Sequence, residues 1–199
     1  MKANIIEDLT DNYKVFLDDT ALCEIYDNNQ GVSLIDNMYS SGKHFIIPLR
    51  AVDSLQNGLL DMSSASYKIR KGIINLQMLQ NRGVSEIRGE KGDINIITTL
   101  VSVFVKFKFV YRLALITQNR KLAKSILNLN NAEIGGFQIL VFYLSTDGTL
   151  HKWDISDDNS LYYEVSGDYT DSDENEYDNN NEQAEENSRL SILQEWEII

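Results

Sequence analysis

The order of apolar and polar positions divides the chain into short buried runs and longer one-sided stretches. Residues 13–17, YKVFL, form an apolar run that ends in Asp18, Asp19 and Thr20, the form of a buried strand closed by a polar turn. Val32, Ile35, Met38 and Tyr39 then recur at helical spacing, with Gly42 as a stop. HFII at 44–47 is a second short strand, closed by Pro48, the only proline. Within residues 63–83, Ile69, Ile73, Leu76 and Leu79 fall on one helical face, and Gly83 ends the pattern. VSEIR at 84–88 is a brief strand and GEKGD at 89–93 a turn.

The stretch 94–110, INIITTLVSVFVKFKFV, pulls two ways. Its β-branched residues favour a strand. Its 17 residues exceed an ordinary strand, however, and apolar side chains all round suit a helix buried in a core, so a helix is expected. LALIT at 113–117 is a strand, followed by a helix with Leu122, Ile126 and Leu129 on one stripe. Residues 137–144, the turn 145–148 and residues 149–155 predict a terminal hairpin. Strands separated by helices need crossover connections. The pattern therefore predicts an α/β fold, a three-layer sandwich with a mainly parallel central sheet and a hairpin at its C-terminal edge. Functional groups in such sheets gather where strands end and helices begin, and Asp18 and Asn119 stand at two such places.

Charge changes the picture of the whole chain. The formal net charge is −12, but residues 1–153 hold 17 of the 18 Lys and Arg against 15 of the 30 acids, so that part is near +2. The acidity belongs to the remainder, and it does not argue against a nucleic-acid partner for the mildly basic part. Three segments follow: a folded domain at 1–155, an acidic linker at 156–187, and an apolar segment at 188–199. Within the linker, residues 168–187 have no aliphatic residue except Ala184 to offset chain entropy, and the linker is expected to be a disordered acidic tail. The last segment spaces Leu190, Leu193 and Trp196 three apart, as a docking motif for a protein partner or for the domain itself. The single Cys23 excludes an intramolecular disulfide and is expected to be a small buried apolar residue rather than a nucleophile. Glu7, Asp8 and Asp11 interrupt any export signal, and Lys106, Lys108 and Arg112 spoil the most apolar stretch as a membrane span. A cytoplasmic protein with no membrane association is the expectation.

Four segments between Tyr13 and Trp153, VFLDDTAL, HFIIPLRAVDSL, GDINIITTLVSVFVKFKF and LALITQNRKLAKSIL, each set polar or acidic residues beside an apolar run, and in this order they resemble the PIN-domain family of metal-dependent ribonucleases, in particular a bacterial branch. VFLDDTAL is similar to the family's first motif, with Asp18 in the metal-ligand place and Thr20 in the hydroxyl place. HFIIPLRAVDSL is similar to the second, with Ser54 at the Glu position and Asp53 beside it. GDINIITTLVSVFVKFKF matches a third pattern at Asp93, but Ile97 occupies the usual second acid. LALITQNRKLAKSIL is similar to the last motif, with Asn119 in place of Asp.

The resemblance implies a carboxylate site for Mg²⁺ or Mn²⁺, since hard cations need oxygen ligands and compensating charge. Of the four usual ligand places only Asp18 keeps its acid. Asn119 offers a neutral carbonyl oxygen and, equally, a good helix N-cap. Convergence of Asp18, Asp53 and Asp93 would hold one ion, with Asp18 and Asp93 as its metal ligands and Asn119 beside it. Thr20, Arg120, Lys121 and Lys124 are the expected RNA-phosphate contacts, against the plainer reading of the three cations as a solvated helix face. Asp19 is expected to be solvated, and His44 and His151 to be packed or surface histidines rather than bases. The expected function is a PIN-like nuclease-fold protein, catalytically impaired, that acts as a protein- or RNA-binding regulatory module. The alternative is a Mg²⁺- or Mn²⁺-dependent endoribonuclease with a rearranged carboxylate site. In a third arrangement the acidic tail lies over a basic face as an internal mimic of nucleic acid.

Overall fold

The computed structural model describes residues 4–59, 66–89, 95–131 and 135–154. Asp93 and the segments 156–187 and 188–199 lie outside the described residues, as does most of the turn expected at 89–93. Thirteen elements follow one another in these residues: α1 (Ile5–Asn12), β1 (Lys14–Leu17), α2 (Asp19–Leu22), α3 (Asn29–Ser41), β2 (Phe45–Pro48), α4 (Leu49–Gly58), α5 (Ser66–Asn81), β3 (Ser85–Arg88), α6 (Ile96–Phe107), β4 (Leu113–Ile116), α7 (Arg120–Asn128), β5 (Leu140–Leu144) and β6 (Leu150–Lys152). The six strands form one sheet in the order β3-β2-β1-β4-β5-β6. Every neighbouring pair is parallel except β5 and β6, the expected hairpin.

Strand periodicity builds two cores from one sheet, because successive side chains leave opposite faces. Val15 and Leu17 of β1 and Ala114 and Ile116 of β4 join the core beneath α1 to α5. Phe16, Leu113 and Leu115 join the core beneath α6 and α7. The β-branched run is indeed helical, as its length implied. Thr99, Leu100, Val103, Phe104 and Phe107 of α6 are buried, and the Phe104 ring packs 4.9 Å from that of Phe16.

Two stripes differ in detail from the sequence pattern. On α3 the buried face is Leu34, Ile35 and Met38, whereas Tyr39 is 60% exposed with the Arg82 guanidinium 5.4 Å above its ring. Lys108, one of the charges that interrupt the apolar stretch, is buried and donates from Nζ to the Leu129 carbonyl oxygen at 2.7 Å, closing the end of α7. The helix α1 had no counterpart among the expected elements. Its own signals are an Asn4 side chain that accepts from the Ile6 N–H and the acids Glu7 and Asp8 in its first turn.

Gly42 takes a left-handed φ of 64° at the end of α3, as its position as a stop implied. Gly72 serves close packing instead: a Cβ there would meet Leu55 Cδ2 at 2.8 Å and Cys23 Sγ at 2.9 Å. Cys23 is half-buried against this core, and burial together with Asp19 and Asp18 pushes its thiol up to about 12, which keeps it protonated. Among the described residues no helix is long and apolar enough to cross a membrane.

Candidate functional site

The strand order makes β1 and β4 the switch point of the sheet: from β1 the chain crosses to β2 on one side, and from β4 to β5 on the other. In an open α/β sheet the crossovers diverge at such a point, and the crevice beyond the carboxyl ends of the strands is the usual place for a ligand. Asp18 follows β1 at this point, and Thr117, Gln118 and Asn119 follow β4.

Asp18 is fully buried and saturated with donors. Its Oδ1 accepts from the Ala21 N–H at 2.9 Å, capping α2, and from the Thr20 hydroxyl at 2.8 Å. Its Oδ2 accepts from the Thr117 hydroxyl at 2.5 Å. Each threonine is itself oriented from behind. The Gln118 N–H donates to Thr20 Oγ1 at 2.8 Å and the Asn119 N–H donates to Thr117 Oγ1 at 2.9 Å. Two relays of backbone N–H, hydroxyl and carboxylate therefore run from the end of β4 to the end of β1. Hydrogen bonds in such chains polarise one another, and each hydroxyl has its one proton committed to Asp18.

Asp19 turns the other way, and its Oδ2 accepts from the Ser54 hydroxyl at 2.5 Å. The residue of α4 that reaches this group is thus Ser54, at the position of the expected Glu, while the adjacent Asp53 projects about 100° away around the helix. Asp19 is half-buried and hydrogen-bonded rather than simply solvated. Burial, then the nearby Asp19, pushes Asp18 up to about 7 from an ordinary 3.8, against the lowering pull of its donors. Burial also raises Asp19.

Asn119 acts as the N-cap of α7, its Oδ1 accepting from the Leu122 N–H at 3.1 Å. Its amide oxygen is therefore already in use. Arg120, Lys121 and Lys124 lie on the exposed side of α7. Thr20 is half-buried inside the relay rather than displayed on the surface. Gln118 closes the crevice on its far side. Its amide donates to the Leu144 carbonyl oxygen at 2.7 Å and to the Glu24 carboxylate, and it accepts from the Leu144 N–H at 3.2 Å. The indole N–H of Trp153 adds a bond to the Thr117 carbonyl oxygen at 3.1 Å.

The structure brings Asp18, Thr20 and Asn119 together at the carboxyl ends of β1 and β4. It does not gather three or more His, Cys, Asp or Glu side chains into a group able to hold a metal ion among the described residues. The residues that sequence reasoning passed over are Thr117 and Gln118. A threonine at the last position of a wholly apolar strand was the available signal, since a hydroxyl there must find a partner. No protein-family model and no curated protein matches the chain.

Proposed function

We propose that this chain is a PIN-like nuclease-fold protein, catalytically impaired, that works as a regulatory binding module for RNA or protein. The single observation that carries this reading is the saturation of Asp18. A carboxylate that serves as the common acceptor of two hydroxyl relays and a helix cap acts as a joint between β1 and β4. A cation would have to compete with these donors for the two oxygens and enter a fully buried place. Ser54 and Asn119, at two of the other family positions, supply no negative charge, and both are engaged with neighbouring protein groups. Exposed Lys121 and Lys124 on α7 support an RNA-phosphate contact beside the crevice rather than within it.

A second reading has one observation in its favour. Asp18 and Asp19 are both held above the ordinary carboxylate range, and two such groups side by side are what a divalent cation would relieve. That reading is a Mg²⁺- or Mn²⁺-dependent endoribonuclease, using Asp18 with Asp53 and Asp93. Incubation of the purified chain with single-stranded RNA and Mn²⁺, beside Asp18→Asn, separates the two. The proposal expects RNA bound and left intact by both proteins. Cleavage by the native chain that is lost in Asp18→Asn would establish the enzyme instead.

A further inference from the structure

A groove among the described residues lies at the opposite end of the sheet from Asp18. It encloses about 530 Å³ at the amino ends of β1, β2 and β4, lined by Lys14, Lys43, His44, Arg88, Tyr111 and Arg112 among others. Its two carboxylates are already matched: Asp11 pairs with Lys43 at 3.4 Å and Glu86 with Arg88 at 2.5 Å. Lys43 is further held by the Thr10 and Asp11 carbonyl oxygens at the end of α1. Two cations remain. Lys14 rests 5.6 Å from the centre of the Tyr111 ring and Arg112 lies 5.7 Å from that of Phe137. Among the described residues neither has a carboxylate partner, and the buried Nε of Arg88 has no acceptor. The groove therefore presents the positive charge of Lys14 and Arg112 beside Tyr111, with the Nε of Arg88 still lacking an acceptor.

We propose that this groove is the docking surface for the acidic stretch 168–186 of the same chain. That stretch carries nine Asp and Glu and no Lys or Arg. The direction of the last strand favours it as the occupant. β6 runs antiparallel to β5, with Leu150 opposite Leu144 and Lys152 opposite Phe142, so the chain leaves Asp154 heading towards the amino ends of the parallel strands. From β6 to β1 is three strand spacings, about 14 Å. A flexible chain of that length would span roughly 20 Å between residue 154 and residue 168, enough to bring the acidic stretch within reach of the groove. Tethering at that range gives an effective concentration on the order of millimolar, which favours this occupant over a free polyanion. The exposed cations Lys121 and Lys124 start on α7 from its first turn, beside the crevice, and are approached less directly by a chain leaving in this direction.

This inference does not rest on the impaired-site reading, which concerns the other end of the sheet, so either can fail alone. The test uses the full chain with Cys23→Ser and Asn180→Cys, a nitroxide on the introduced thiol, and paramagnetic broadening of backbone amide signals. The expected result is severalfold stronger broadening at Lys14, His44, Tyr111 and Arg112 than at Lys121 and Lys124. That broadening should disappear as salt contracts the Debye length from about 30 Å to about 3 Å. Lys14→Gln with Arg112→Gln should release it at low salt, and should this variant unfold, the salt titration on the unsubstituted groove decides. Broadening centred on α7, or spread evenly over the surface, would overturn the proposal. So would broadening that appears only on an unlabelled, isotope-enriched copy mixed with labelled protein, which would place the contact between molecules.

Discussion

Asp18 and the neighbouring Asp19, both raised by burial, contribute to the response of the molecule to pH. The Asp18 carboxyl, raised to about 7 in the folded chain, holds its proton more tightly than in the unfolded chain, where 3.8 applies. The stability contributed by this group is therefore full at and below about pH 4 and is lost as pH rises through about 7. The contribution of this one group spans up to about 4 kcal/mol. Urea midpoints measured from pH 4 to pH 8 should trace that decline, and Asp18→Asn should flatten most of it while keeping a side-chain oxygen to cap α2. Asp18→Ala should behave differently. It strands the two threonine hydroxyls and the Ala21 N–H, and should cost about 3 kcal/mol or more at any pH.

Asn119 gives a second expectation at this scale. Asn and Asp cap helices about equally well, yet Arg120 and Lys121 occupy the first turn of α7 against its dipole. Asn119→Asp should therefore stabilise the protein by about 0.3–1 kcal/mol at low salt, an effect that fades as salt is added. A flat or negative change in the urea midpoint at low salt would contradict this.

The packing of α5 on α2 and α4 depends on the missing side chain of Gly72. Gly72→Val would force Leu55 and Cys23 aside in a filled core and should destabilise by about 1–3 kcal/mol, visible as a lower melting temperature. At this scale the sequence was mostly readable. Runs such as LALI and FIIP are buried along their whole length, and the long run at 94–110 resolved to α6 because a strand of that length has no place in a small sheet. The short helix α2 and the fate of Lys108 were not readable, because each is fixed by a partner distant in sequence. The same holds for the crevice. Asp18 and Asn119 could be placed at strand ends from their flanking runs, but the bond from Thr117 to Asp18 joins residues 99 positions apart and exists only because β4 pairs with β1. A side chain's position can be inferred from local pattern, whereas its hydrogen-bond partner depends on strand order.

Across the whole molecule, burial is concentrated in the middle of the sheet. β4 is buried along its full length and β1 at three of its four positions, while every residue of β3 is only half-buried. Native-state hydrogen exchange should follow that gradient, slowest in β1 and β4 and faster in β3. Comparable protection in β3 would show that the edge opens only with global unfolding.

The reversed course of β6 has a practical corollary. A molecule anchored to a surface through the chain that follows Asp154 would stand with the Thr20 and Thr117 hydroxyls on the side away from the support. Immobilised in that orientation, it would present the switch-point end to passing ligands and screen the groove of Lys14 and Arg112 from them, so one chip format would sample the two ends of the sheet unequally.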